Sequence, residues 1–206
     1  QDLESSSFDA WIKFYRPDEN ALNARISYYV KGAMVAFVLD AKIRGATKDT
    51  RSLDDVMRRA YARYSGERGY TDEEFREVVR EVAGPAVRDW LATTLVGTDE
   101  LELEAALDYF GLRFAEPKPN EPRKAWIGIG TRNAGERVFV TEVVRDSPAW
   151  RAGVSAEDEV LAIGPYRALA SRWAELLEAA SPDEVTSLAV SRRGRLRNLP
   201  IILGER

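Results

Sequence analysis

A proline-rich stretch constrains the fold of this 206-residue chain more than any other feature. Residues 115–122 read Ala-Glu-Pro-Lys-Pro-Asn-Glu-Pro, which places three prolines within six residues among charged side chains. Proline fixes φ and has no backbone N–H, so this stretch fits neither a helix interior nor a central strand. We therefore predict a semi-rigid linker over residues 115–123, between one domain over residues 1–114 and another over residues 124–206.

The composition is that of a globular protein and argues against several classes of function. Hydrophobic residues make up 45% of the chain and charged residues 31%, as is typical of folded domains. The net charge of −4 is small and both signs are interspersed, so we expect no nucleic-acid partner. The longest apolar run, residues 33–39, is too short to cross a bilayer, so we expect no membrane partner. Because the first residue is Gln1, we expect a processed or shortened form of a longer protein.

The chain contains neither histidine nor cysteine. Zinc sites of the H-E-x-x-H type, Ser-His-Asp triads and Cys-His pairs all need at least one of these residues. We therefore predict no metal ligands in this chain and none of these sites within it. Chemistry that uses only carboxylates stays open, although no pair of acidic residues has the sequence context of a cleft.

Before the linker, apolar residues recur at helical spacing, and the breaks between them carry capping signals. The most buried helix is predicted over residues 27–44, because residues 33–39 are apolar almost all the way round, and Gly45 is placed to end it. Thr71 and Glu74 form a capping box for another helix, and Pro85 suits the first turn of the next. Further helices are predicted from Ser7 to Phe14, from Ser52 to about Tyr64, and from Thr98 to Gly111.

Beyond the linker, short apolar runs bounded by glycine and proline predict strands. These strands are expected over residues 126–130, 138–140, 143–144, 159–163, 188–190 and 199–203. Ser147 begins a turn or a short helix that Gly153 closes, and residues 169–180 have helical spacing. The last two strands flank a tight turn at residues 192–195, as in a β-hairpin. The whole pattern predicts a multidomain α + β fold.

The order of these elements resembles a bacterial-type PDZ domain. The motifs that match are the glycine-flanked loop at residues 126–130, the Val-Phe-Val strand, the Ser-Pro-Ala-Trp-Arg-Ala-Gly run and the Asp-Glu-Val-Leu-Ala-Ile strand. The resemblance implies a PDZ-like β-barrel or sandwich with a helix, in which loop N–H groups hold the carboxylate of a peptide or protein C-terminus. The implied peptide-binding residues are Trp126, Ile127, Gly128, Ile129, Gly130, Trp173, Leu176 and Leu177. The alternative is that residues 126–130 form only an edge strand with a bend.

Two tyrosines, Tyr28 and Tyr29, begin the most buried helix and precede Lys31 and Gly32. The Tyr-x-Lys-Gly sequence looks like the corresponding segment of gluzincin aminopeptidases, and segments 7–13, 26–40 and 52–58, followed by a PDZ domain, resemble the glycyl-aminopeptidase family. The resemblance implies that the Tyr29 phenol donates a hydrogen bond to the oxyanion of a tetrahedral intermediate. Tyr28 is then a packing residue, and Lys31 is structural or an electrostatic neighbour. Without the resemblance, Tyr29 is better interpreted as a core tyrosine with a satisfied hydroxyl.

The same resemblance implies that residues 1–114 are the helical C-terminal lobe of a thermolysin-like catalytic domain. In that family the zinc ligands and the general base lie in an H-E-x-x-H helix and a later glutamate helix, and this sequence contains neither. We therefore expect zinc only in the full-length protein, a missing N-terminal catalytic half as a partner, and no activity from this chain alone. The alternative is a non-catalytic adaptor in which a helical domain and a PDZ domain bind peptides.

Overall fold

The computed structural model describes residues 1–116 and 123–205. These residues form two compact units, a helical unit over residues 1–16 and 25–116 and a sheet unit that joins residues 17–24 to the chain from Arg123 on. The mixture of helices with antiparallel sheet confirms the predicted multidomain α + β class. Most of the predicted linker, residues 117–122, lies outside the described residues, so the predicted domain boundaries stay predictions.

The helical unit contains five longer helices after a short N-terminal pair. α1 is followed by a π-helix at Ala10–Phe14, and α2 belongs to the sheet unit. The bounds of the α-helices are α1 Leu3–Phe8, α2 Ala21–Ala24, α3 Tyr28–Thr47, α4 Leu53–Tyr64, α5 Asp72–Ala83, α6 Pro85–Val96 and α7 Leu103–Tyr109.

Three of the predicted helices begin where their capping signals place them. The Ser27 side chain accepts a hydrogen bond from the Val30 N–H at the start of α3, and the capping box of Thr71 and Glu74 begins α5. Pro85 occupies the first turn of α6, as predicted. In each case the cap satisfies N–H groups that lack an acceptor inside the helix.

Three other predicted helix ends are wrong. The first helix begins at Leu3 rather than after Ser7, because the Asp2 carboxylate caps it by accepting from the Ser5 N–H at 2.8 Å. α3 continues through Gly45 to Thr47 and ends at Lys48, whose φ of 51° gives the left-handed cap predicted for glycine. α7 begins at Leu103 rather than after Thr98, and its N-cap residue, Glu102, makes no side-chain capping hydrogen bond.

The core of the helical unit forms around α3. Val35, Leu39 and Ile43 lie at spacings of four along one side of α3 and are buried, as expected for residues on one face of a helix. They pack with apolar residues of α4, α5 and α6, of which the fully buried ones include Val56, Val78 and Val79. Burial of these side chains supplies the main stabilisation of the unit.

The sheet unit is built from an open antiparallel sheet and a small two-stranded one. The order in the larger sheet is β2-β3-β4-β6-β7, with β5 paired to β4, and β1 pairs with β8. Among the described strands this sheet does not close, so the predicted PDZ-like barrel is not shown. The bounds are β1 Ala125–Trp126, β2 Ile129–Ala134, β3 Arg137–Val143, β4 Glu159–Ile163, β5 Tyr166–Arg167, β6 Val185–Arg192, β7 Arg195–Ile202 and β8 Gly204–Glu205, with helices α8 Pro148–Ala152 and α9 Trp173–Ala179.

Local signals after residue 123 predict the structure well. Ser147 caps α8 and Gly153, with φ of 80°, ends it. The predicted hairpin joins β6 to β7 through Arg193 and Gly194, both with positive φ, which matches the twist that two-residue hairpin turns need. No helix within residues 1–116 or 123–205 is long and apolar enough to cross a membrane.

Candidate functional site

The π-helix and the first turn of α3 bring several aromatic side chains together. The Phe14 ring contacts the rings of Tyr15, Tyr28 and Tyr29 at centroid distances of 5.4, 5.3 and 6.1 Å. We call this group the aromatic cluster, and it consists of Trp11, Phe14, Tyr15, Tyr28 and Tyr29. Sequence reasoning selected Tyr29 alone, because the spacing of the helix places Tyr28 about a quarter of a turn away.

The two adjacent tyrosines lie closer than that spacing suggests. Their ring centroids are 4.2 Å apart with the planes inclined by 31°. Tyr28 is half-buried and packs against the core of the helical unit, whereas the Tyr29 side chain is 60% exposed. Tyr29 is therefore not a core tyrosine, and its phenol can reach a partner outside this unit.

Hydrogen bonding within the aromatic cluster divides the acidity of the phenols. Hydrogen bonding with Tyr28, followed by Tyr15, lowers the pKa of the Tyr29 phenol below its ordinary value. The same contact with Tyr29, followed by Tyr15, raises the pKa of Tyr28. These opposite directions mean that Tyr29 accepts from its neighbours and keeps its own O–H free to donate. No described residue accepts a hydrogen bond from the Tyr29 hydroxyl at hydrogen-bonding geometry.

Lys31 has a structural contact. Its Nζ donates to the Gly97 carbonyl oxygen at 3.3 Å and so ties the first turns of α3 to the end of α6. Gly97 lies at the C-terminal end of α6, where a cation also interacts favourably with the helix dipole.

An apolar groove of about 320 Å³ lies on the helical unit beside α3. Gly32 and Ala36 line it, and they share a helix face with Tyr29 through spacings of three and seven. A Cβ on Gly32 would meet no atom within 4 Å, so glycine leaves this side of the helix open. The other lining residues are Leu3, Val35, Leu39, Leu53, Met57, Tyr70, Asp72, Phe75, Arg76, Leu91 and Leu95.

The described residues do not suit a catalytic metal. Within residues 1–116 and 123–205, no group of three or more His, Cys, Asp or Glu side chains is placed to hold an ion. A zinc site needs nitrogen, sulfur or carboxylate ligands that converge on one point. The residues of this chain therefore do not fit a zinc ion, and no catalytic step is assigned to one here.

In the sheet unit, Gly128 sets the shape of the loop before β2. Its φ is 80°, and a Cβ at this position would lie 2.1 Å from the Cβ of the fully buried Ser147. The Gly128 carbonyl oxygen accepts from the Val144 N–H at 2.9 Å, and the Ile127 carbonyl oxygen accepts from the Ala149 N–H at 3.0 Å. These bonds turn both carbonyls of the loop toward the protein.

The opposite side of this loop presents unpaired donors. In residues 123–205 the N–H groups of Ile127 and Gly128 have no backbone acceptor. Consecutive N–H groups in a turn can hold a carboxylate. The neighbouring strand β2 pairs only with β3 among the described strands, so its other edge is open to an added strand.

The predicted peptide-binding residues fall into three groups. Ile127 and Trp173 lie in the core of the sheet unit, 4% and 7% exposed, and have little surface to offer a ligand. Ile129, Leu176 and Leu177 are half-buried and pack against the same core. Trp126 and Gly130 line a shallow pocket with Ile129, Glu142, Val144 and Glu205.

Sequence reasoning missed three residues that shape these sites. Tyr15 belongs to the aromatic cluster, and its signal was the run Phe14-Tyr15 just before the Arg16-Pro17 break. Ser147 supports Gly128, but its sequence context indicated only a helix cap. Glu142 carried no local signal, because its position opposite Gly130 depends on the pairing of β2 with β3.

Comparisons with known proteins relate the chain to aminopeptidases. Residues 1–35, which include Tyr29, match the family model described as M61 glycyl aminopeptidase. Among curated proteins, no sequence matches the chain.

One solved structure is similar along nearly the whole chain. This is an aminopeptidase N family protein from Idiomarina loihiensis, with 28% identity and a TM-score of 0.81 over 97% of this chain. The match covers 36% of that protein, so the chain spans about a third of the length of this relative.

Two protease structures share only part of the fold. The HtrA-type protease AlgW with decapeptide matches 41% of this chain and 30% of its own, with 26% identity and a TM-score of 0.38. The serine endoprotease from Yersinia pestis matches 43% of this chain and 31% of its own, with 20% identity and a TM-score of 0.38. Similarity at this level says nothing further about this chain.

Proposed function

We propose that this chain is part of a larger zinc-dependent aminopeptidase of the gluzincin type. The observation that carries this proposal is the similarity of nearly the whole chain to about a third of an aminopeptidase N family protein, with a TM-score of 0.81. The family match over residues 1–35 supports it, because that segment contains the exposed phenol of Tyr29.

In this proposal, Tyr29 stabilises the transition state of peptide hydrolysis. Its phenol donates a hydrogen bond to the oxygen of the scissile carbonyl as negative charge develops there. A donor that is already in place when the charge appears contributes about 3 kcal/mol to transition-state stabilisation. The lowered pKa of Tyr29 strengthens this donor, since a more acidic O–H forms a stronger hydrogen bond to an oxyanion.

Zinc belongs to the part of the protein that this sequence does not contain. The described residues offer no converging ligands, so the proposed partner of the helical unit is a metal-binding catalytic half. The chain by itself is expected to cleave nothing.

The sheet unit is proposed to bind a peptide or protein C-terminus in the manner of a PDZ domain. The unpaired N–H groups of Ile127 and Gly128 support this role, together with the open edge of β2. The N–H groups would hold the terminal carboxylate, and the peptide would extend β2 by one strand.

Replacement of Tyr29 by phenylalanine in the full-length protein tests the catalytic role. We expect kcat to fall by about 10²–10³ with circular dichroism and thermal unfolding unchanged, because only the hydroxyl is lost. Phe114 → Leu, which removes an exposed ring elsewhere in the helical unit, is the control. Unchanged kcat in the Tyr29 variant, or zinc-dependent peptidase activity from residues 1–206 alone, would contradict the proposal.

The pH profile of the full-length enzyme gives a second readout. Tyr29 donates only while protonated, so its lowered pKa places the alkaline fall of kcat below the value of about 10 for a free phenol. Tyr28→Phe removes the main cause of the lowering and should move this fall to higher pH. A profile that does not move when Tyr28 is replaced would separate the fall from Tyr29.

A further inference from the structure

The side chain of Glu142 lies over Gly130. The two residues are directly opposed in the pairing of β2 with β3, so they share one face of the sheet. A Cβ on Gly130 would lie 2.7 Å from the Glu142 Cγ and 2.8 Å from its Oε1. Because Gly130 has no side chain, the Glu142 carboxylate extends from β3 across β2 toward the open edge.

Glu142 is also the uncompensated acid of a pocket at this edge. The pocket has a volume of about 510 Å³ and includes the Trp126 ring. A second acid in the pocket, Glu205, is already paired with Arg123 at 2.6 Å. Within residues 1–116 and 123–205, the Glu142 carboxylate has no ion pair or side-chain hydrogen bond. The pocket therefore combines a free negative charge with an aromatic ring, which suits a cationic side chain.

The alternation of side chains along a strand places one ligand residue at this pocket. Successive side chains of an added strand point to opposite faces of the sheet. With its carboxylate on the N–H groups of Ile127 and Gly128, a bound peptide turns its last side chain toward the half-buried Ile129 and Leu176. Its second-last side chain then faces Gly130 and Glu142.

We propose that Glu142 determines ligand specificity and selects peptide C-termini with lysine or arginine at the second-last position. This inference rests on the peptide-binding part of the proposed function. The ammonium or guanidinium group pairs with the Glu142 carboxylate and lies against Trp126.

Fluorescence anisotropy with the full chain and a set of labelled decapeptides tests the selection. The peptides are identical except at the second-last residue, which is lysine, alanine or glutamate before a C-terminal valine. We expect the lysine peptide to bind about fivefold more tightly than the alanine peptide, because a partly exposed charge pair and a cation–π contact together contribute about that much. The glutamate peptide should bind most weakly.

Variants separate Glu142 from general charge effects. Glu142→Gln should remove the preference for lysine while the alanine peptide binds as before, and Glu142→Lys should make the glutamate peptide the preferred one. Glu184→Gln is the matched control, because it removes the same charge from a carboxylate that does not line the pocket.

The outcomes distinguish this inference from the function on which it rests. If free-carboxylate peptides bind equally whatever their second-last residue, the role of Glu142 is wrong and peptide binding stands. If no peptide binds, or if the amidated lysine peptide binds as well as the free acid, carboxylate recognition itself is wrong and both proposals fail.

Discussion

The helical unit and the sheet unit present their candidate functional groups in opposite ways. In the helical unit the group is a side chain, the exposed phenol of Tyr29. In the sheet unit it is a pair of backbone N–H groups, at Ile127 and Gly128, which point outward because of the conformation of Gly128. A substitution can therefore remove the first group and leave the fold intact, whereas changes around the second act on stability as well.

The two units also hold their charges differently. In the helical unit, Arg59 and Arg63 pair with Glu81 at a partly exposed surface. In the sheet unit, the Asp158 carboxylate is completely buried and accepts from both Nε and Nη2 of Arg192 at 2.7 Å. Buried charges are tolerated only when paired, while surface pairs contribute little. The sheet unit should therefore be much more sensitive to the loss of one charge.

The largest expected effect follows from replacing Arg192 by alanine. Asp158 would remain buried without its cation, so we expect the free energy of unfolding of the sheet unit to fall by about 3–5 kcal/mol. Hydrogen exchange of the β6 and β7 amides measures the loss. Arg195→Ala, which removes an exposed arginine from the same hairpin, is the control and should change stability by less than about 0.5 kcal/mol. Equal losses in the two variants would show that the buried pair does not distinguish the units.

The next effect concerns the glycine that shapes the peptide-binding loop. Gly128→Ala should destabilise the sheet unit by about 3 kcal/mol, because the new Cβ meets Ser147 and the positive φ is unfavourable for alanine. Gly135→Ala tests the backbone part alone, since Gly135 has φ of 61° and no atom within 4 Å of a Cβ. We expect about 1 kcal/mol there by urea unfolding. The same loss for both variants would mean that contact with Ser147 contributes nothing.

The smallest effect is the pH dependence of the surface pairs in the helical unit. Hydrogen bonding to Arg63, followed by Arg59, lowers the pKa of Glu81 to about 2. A carboxylate whose pKa is lowered by folding stabilises the folded state above its unfolded pKa of about 4.5 and loses that effect as pH falls toward 2. Thermal unfolding between pH 7 and pH 3 should therefore depend less on pH in Glu81→Gln. Glu104→Gln, at an exposed position, should keep the dependence of the unchanged protein, and an identical curve for Glu81→Gln would contradict this account.

Much of the fold follows from local signals in the sequence. The capping box of Thr71 and Glu74, the proline at the start of α6 and the hairpin at Arg193-Gly194 each depend on residues a few positions apart, and all three are found. The errors arose where a competing local partner intervened. Asp2 caps the first helix ahead of Ser7, and the backbone passes through Gly45 before it turns left-handed at Lys48.

The candidate sites were less accessible to sequence reasoning. Tyr29 could be selected from its motif, but its exposure and its contact with Tyr28 depend on the π-helix that brings Phe14 against both rings. Ile127 and Trp173 were predicted to contact a peptide, and the structure places both in the core. Apolar character alone does not distinguish a residue that lines a groove from one that fills the core beneath it.

The sequence by itself determined the helices, the strands and the change from one to the other near the prolines, because propensity, capping and periodicity act over a few residues. Only the tertiary structure decided which groups are free to act. The open O–H of Tyr29, the unpaired N–H groups of Ile127 and Gly128, and the position of Glu142 over Gly130 all depend on partners distant in sequence. Pairing between distant segments satisfies most polar groups, and the few that it leaves unsatisfied define the candidate sites.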